Sequence, residues 1–138
     1  MSLPVVRVKD GVQFARIAPG GMRILGALEA AARVVAEDLW ITSACDGGHL
    51  PTSRHYTGEA YDVRALTPGQ TVRVVQVLRQ TLGPQFTVFY ESPTPSADVA
   101  LRAVGLVNPH ATAPHIHIQV ATGVTYPPPV QDVVTTAV

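Results

Sequence analysis

Between Met22 and Glu37 the apolar residues Ile24, Leu25, Leu28, Ala31, Ala32 and Val35 recur at helical spacing, with alanines filling in, which predicts a helix over 22–37. A second helix is punctuated more sharply. Thr67 is a natural N-cap, Pro68 suits the first helical position and Gln70 completes a capping box. Val72, Val75, Leu78 and Leu82 form its apolar stripe, and Gly83 is placed to end it. Four other runs follow strand rules. "LWITSA" (39–44) and "QFTVFYE" (85–91) are β-branched and aromatic, while "EAYDVRA" (59–65) and "HIHIQVA" (115–121) alternate with period two.

"PVVRV" near the start reads as a short strand or an extended arm, and "APGG" as a break. "CDGGHLPTSRHYT" (45–57) is a loop, and 92–114 is irregular, with "ADVALRAVGL" a short helix or strand. "YPPP" fits neither a helix nor a central strand. Strands and helices mix without the strict alternation of a parallel sheet. The pattern therefore predicts a single α+β domain, 1–138, with its core in 20–121 and a Pro-rich surface tail over 122–138. Its sheet should be antiparallel, with about four strands, helices packed on one face and a polar cleft on the other.

Composition narrows the possible functions. At 138 residues the chain can bury a core without staples, and 46% apolar residues argue against disorder. Ten basic and ten acidic side chains cancel, leaving no electrostatic footprint for nucleic acid or anionic membrane. A single cysteine, Cys45, excludes an internal disulfide and a cysteine-based zinc cluster. No apolar stretch resembles a signal peptide or approaches the roughly 20 residues of a membrane span. The expectation is a chain made in the cytoplasm that acts on its target only if released by other means.

Period two then assembles a site. His115, His117 and Gln119 share one strand face, opposite Ile116, Ile118 and Val120. Ala60, Asp62 and Arg64 likewise share a face, opposite Tyr61, Val63 and Ala65. With His55 arriving from the preceding loop, two histidines and a carboxylate match a zinc ion held by three protein ligands with a fourth position open to water. Gly58 would let the chain turn from loop ligand to strand, and Ala60 would leave room beside Asp62. The spacing leaves open which of His115 and His117 is the ligand. Glu91, ending its strand, is a candidate general base.

"SRHYTGEAYD" resembles the Ser-x-His-x-x-Gly-x-Ala-x-Asp signature of the zinc D-Ala-D-Ala carboxypeptidases, and "HIHI" resembles their His-x-His motif. That wider group includes lysostaphin-type and L-Ala-D-Glu endopeptidases and the hedgehog signalling domain. "ITSACDG" is similar to the strand and turn that precede the first motif, so the resemblance spans about residues 39–121. It implies that His55, Asp62 and His117 bind Zn2+ and that His115 is the general base or transition-state stabiliser. Ser53 and Arg54, within and beside the motif, become candidate substrate-binding residues. Carboxypeptidases of this group usually carry an Arg after the Thr-Ser strand to grip the substrate's terminal carboxylate. Here Asp46 stands in that region, so Arg54 or Arg64 would have to substitute.

The resemblance implies a zinc peptidase whose partner is a peptidoglycan stem peptide, placed by analogy as a phage-type lysis or tail-associated enzyme. Two alternatives accompany it. One is a non-catalytic zinc-containing binding domain on the same fold, as in hedgehog. The other is a non-haem iron oxygenase, since two histidines and a carboxylate also suit Fe(II), although such sites usually begin His-x-Asp.

Overall fold

The computed structural model describes residues 2–46 and 52–129. Among the described residues nine elements follow one another: β1 (Val6–Val8), α1 (Pro19–Val35), β2 (Leu39–Ser43), β3 (Ala60–Arg64), α2 (Pro68–Leu82), β4 (Phe86–Ser92), α3 (Val99–Ala103), β5 (Gly105–Val107) and β6 (His115–Val120).

The strands form one six-stranded sheet in the order β1-β2-β3-β6-β4-β5. This overturns the expected four-stranded antiparallel sheet. The pairings β2–β3, β3–β6 and β6–β4 are antiparallel, but both edge strands run parallel to their neighbours, so the sheet is mixed. A third helix, α3, also joins the predicted two. The reason is length: β1 and β5 have three residues each, too few to display a period, and parallel pairing is set by the crossovers through α1 and α3. "ADVALRAVGL" supplies both a helix and a strand, with Asp98 capping α3 by accepting from the Leu101 amide.

Helix α1 begins at Pro19, before the predicted Met22, and the glycines explain this early start. A Cβ on Gly20 would lie 2.4 Å from Val120 Cγ2, and one on Gly21 would lie 2.2 Å from the Gly58 carbonyl oxygen. Residues without side chains are therefore what lets the first turn dock on the sheet. The capping box of α2 forms as its residues dictate, with the Thr67 hydroxyl accepting from the Gln70 amide and the Gly83 amide donating to the Arg79 carbonyl. Its core side is Thr71, Val74, Val75, Leu78 and Leu82, whereas Val72 is only half-buried.

Both long helices cover one face of the sheet. Ile24, Leu28, Val74 and Leu78 pack there against Ile41, Tyr61, Val63, Val88, Ile116 and Ile118. Tyr126 closes an end of this core edge-on to Phe86, at 4.9 Å between ring centroids, and the prolines after it are exposed. The rest of the expected tail, 130–138, lies outside the described residues, as do 47–51 of the loop with His49. Among the described residues no helix is long and apolar enough to cross a membrane. The opposite face of the sheet carries the polar side chains.

Candidate metal centre

The uncovered face floors an open cleft of about 1300 Å³. Two rows of cross-strand neighbours cross it. In one, Asp62 of β3 pairs with His117 of β6, which pairs in turn with Phe89 of β4. In the other, Arg64 pairs with His115 and His115 with Glu91. His55 joins the first row from the loop before β3, where consecutive turns fold the chain back. The Ser53 carbonyl accepts from the Tyr56 amide, and the His55 carbonyl accepts from the Gly58 amide.

Gly58 makes that return possible. Its φ is +74°, and a Cβ there would sit 2.5 Å from the carbonyl oxygen of Arg16. Its own carbonyl accepts from the Ala18 amide at 3.2 Å, tying the ligand loop to the start of α1. Gly58→Ala is therefore expected to cost about 2–4 kcal/mol, combining a left-handed backbone with a clash against backbone. Urea unfolding of the two proteins measures it, and a loss below about 0.5 kcal/mol would refute the argument.

Hydrogen bonds orient each imidazole. His55 Nδ1 lies 2.7 Å from the Ala44 carbonyl oxygen, which only accepts, so Nδ1 carries the proton and Nε2 faces Asp62 Oδ1 at 3.4 Å. Gln119 does the same for His117 from the other side. Its amide nitrogen donates to the Val120 carbonyl, which turns Oε1 to within 2.8 Å of His117 Nε2. That nitrogen donates, leaving the Nδ1 lone pair directed at Asp62 Oδ1, 2.9 Å away. Phe89 stacks on the same ring at 5.1 Å.

Two imidazole lone pairs and a carboxylate oxygen thus converge, and one ligand atom from each of the three residues lies within 4.8 Å of the others. Three acceptors brought together need a shared cation, either a proton or a metal. The donor set fits a metal that accepts nitrogen and oxygen together. Without metal a proton takes the place, and the charges respond. Burial opposes ionisation of Asp62, but its polar contacts with His117 and His55 outweigh it and hold the carboxyl well below the usual carboxylate range. For His117, burial works against the charged ring, yet Asp62 raises its pKa above the ordinary value.

His115 stands beside this set without belonging to it. Its Nδ1 lies 3.0 Å from the Ala113 carbonyl oxygen, and its Nε2 points into the cleft, 3.0 Å from Glu91 Oε1 and 3.5 Å from Asp62 Oδ1. The Nε2 atom is buried and lacks a well-directed hydrogen bond despite those short distances. Burial disfavours its charge, but the Glu91 and Asp62 carboxylates raise its pKa. The His115 contact lowers that of Glu91, against a smaller opposing effect of burial.

Among the other predicted site residues, the Ser53 hydroxyl accepts from the His55 amide at 3.2 Å and so shapes the ligand turn. The Arg54 guanidinium donates to Glu59 and to the carbonyls of Ala121 and Val124, while still lining the cleft. Asp46 accepts from the Gln13 and Ala44 amides, bracing the end of β2 that presents the Ala44 carbonyl to His55. The sequence pattern alone assigns no role to Gln119 or Phe89. Period two places Gln119 beside His117, a sufficient signal, whereas Phe89 is found only through strand register. Comparison with protein-family models, curated proteins and solved structures finds no match.

Proposed function

We propose that this chain is a zinc-dependent peptidase that hydrolyses an amide bond in peptidoglycan stem peptides. The observation that carries this reading is the convergence of His55 Nε2, Asp62 Oδ1 and His117 Nδ1 at the floor of an open cleft, with the Glu91–His115 pair alongside. The substrate class rests on the resemblance of "SRHYTGEAYD" and "HIHI" to the zinc D-Ala-D-Ala carboxypeptidases and their endopeptidase relatives.

His55, Asp62 and His117 would hold the ion, with the Ala44 carbonyl and Gln119 fixing the two rings. Zinc bound there supplies Lewis-acid chemistry, polarising a carbonyl and acidifying water near neutral pH. Glu91 is suited to take the proton from an attacking water, because its carboxylate, ionised at neutral pH, lines the cleft and faces His115 Nε2. His115, with both nitrogens facing acceptors, is suited to hold a proton at Nε2 and present positive charge where negative charge develops on the substrate. The cleft that the described residues line is open, so an extended peptide can enter it.

Elemental analysis, then incubation of the zinc-loaded protein with peptidoglycan fragments and mass spectrometry, tests the reading. One zinc per chain and new peptide termini are expected. Iron in its place would favour the oxygenase chemistry instead. Stoichiometric zinc without cleavage of any fragment would leave a binding domain.

Stability should depend on pH in opposite senses with and without zinc. In the metal-free protein Asp62 and Glu91 have lowered pKa values, so their contribution is complete above the ordinary values of 3.8 and 4.5 and is lost as pH falls. The raised pKa values of His115 and His117 contribute fully below 6.5, and that part is lost as pH rises through the folded values. The unfolding temperature in chelator should therefore fall from about pH 6 towards pH 9. With zinc it should rise from about pH 5 to pH 7.5, because metal binding requires the imidazoles without their extra protons. Parallel thermal melts check this, and coincident curves would argue against a metal at these residues.

A further inference from the structure

The arrangement that orients His55 recurs at His115. A carbonyl oxygen only accepts, so the Ala113 carbonyl, 3.0 Å from His115 Nδ1, fixes a proton there and leaves the neutral ring's lone pair on Nε2. That nitrogen is turned into the cleft between two carboxylates, with Glu91 Oε1 at 3.0 Å and Asp62 Oδ1 at 3.5 Å. The first contact follows from register, since Glu91 of β4 is the cross-strand partner of His115 on β6. The second follows from β3, which runs along the other side of β6 and presents Asp62 to the same face. A nitrogen donor and two carboxylate oxygens thus meet beside the set formed by His55, Asp62 and His117, and Asp62 belongs to both groups.

A proton is the alternative link between His115 and Glu91, and the aim of the ring bears on the choice. A hydrogen bond needs Nε2 to point along the line to the oxygen. A zinc ion about 2.0 Å from both atoms instead makes an isosceles triangle on the 3.0 Å separation, so Nε2 must point about 40° aside. The observed Nε2 is buried and makes no well-directed hydrogen bond to either carboxylate. The separation itself suits chelation, because two donors of one zinc lie about 2.9–3.4 Å apart for angles between a right angle and the tetrahedral one. Both side chains keep a small exposed area on the cleft, so an ion can reach them.

We propose that Glu91 and His115, with Asp62 shared, form a second zinc site that fills in excess zinc and switches hydrolysis off, a role that rests on the peptidase reading above. Nitrogen and oxygen donors together suit zinc, whereas magnesium and calcium take oxygen. The second ion binds more weakly than the first. It has one imidazole in place of two, shares the Asp62 carboxylate, and is repelled by the ion already held. Its binding occupies Glu91 Oε1, the acceptor assigned above to the proton of water. It also replaces the proton that His115 would hold at Nε2. Both groups beside the first ion are thereby withdrawn from the reaction while that ion stays in place.

Calorimetric titration of the one-zinc protein with zinc chloride at neutral pH tests the site. One further ion per chain should bind, more weakly than the first. Glu91→Gln and His115→Ala should each retain the first ion and weaken the second by more than the roughly 10- to 100-fold of losing an outer-shell partner. His110→Ala removes another imidazole from the cleft lining and should leave the second binding unchanged. Crystals of the wild type grown in excess zinc give a reading that needs no variant, a second anomalous peak between Glu91 and His115. Saturation at one ion per chain, or a second ion elsewhere in that map, would overturn the site. So would second binding that is undiminished in either variant. Turnover of a wall peptide should fall as the second ion binds, and full turnover with both ions bound would overturn the inhibitory role. Absence of cleavage at one zinc per chain would refute the peptidase reading instead, and the stoichiometry would still decide the site.

Discussion

Replacing His117 by alanine is expected to release the metal, whereas replacing His115 by alanine should keep it. Both rings lie on one face of β6, two residues apart, but they meet different neighbours. His117 Nδ1 is 2.9 Å from Asp62 Oδ1 and its other nitrogen is held by Gln119, the bonding of a ligand oriented from behind. His115 Nε2 sits between Asp62 at 3.5 Å and Glu91 at 3.0 Å, off to the side of the converging lone pairs. Loss of His117 should weaken zinc binding by more than the roughly 10- to 100-fold typical of losing an outer-shell partner, with activity falling to that of the metal-free protein. His115→Ala should retain one zinc and slow turnover by roughly 10²- to 10⁴-fold. Metal content after dialysis, measured beside turnover, separates the two. If His115→Ala released zinc while His117→Ala retained it, the roles would be reversed. Full activity in both variants would remove the zinc-peptidase reading.

Glu91→Gln should slow turnover by roughly 10²- to 10⁴-fold without loss of zinc. Glutamine preserves shape and can still hydrogen-bond to His115, but it cannot accept a proton at pH 7. The expectation rests on position: Glu91 is half-buried at the wall of the cleft, paired with His115, and not a solvated carboxylate at a strand end. A smaller loss for Glu91→Gln than for His115→Ala would transfer the role of base to His115. Equal losses, with the double variant no worse than either, would indicate that the pair works as one unit.

The sheet correction and the site lead to the same distinction. Features carried by near neighbours in the chain could be read directly. Thr67, Pro68 and Gln70 form the start of α2 because capping is a contact among adjacent residues. Alternation along "HIHIQV" set His115, His117 and Gln119 apart from Ile116, Ile118 and Val120, because a strand's two faces follow from backbone geometry. The candidate ligands, the candidate bases and the turn glycine were accordingly all visible as residue types at definite spacings.

Pairing between distant segments was not visible in that way. The edge strands β1 and β5 are three residues long and exist through hydrogen bonds to β2 and β4, so "PVVRV" and "ADVALRAVGL" could suggest a strand but not where, or in which direction, it pairs. The early start of α1 follows from what Gly20 and Gly21 meet, Val120 and Gly58, which are far off in the chain. His115 and His117 are equivalent by parity, and only the register that sets Asp62 opposite His117 and Arg64 opposite His115 tells them apart. A one-step shift in that register would turn each side chain to the other face of the sheet. Local chemistry along the chain therefore determined which residues this protein has available for a site. The long-range hydrogen bonding of the sheet decided which of them meet, because cross-strand neighbours are chosen by register and not by distance in sequence.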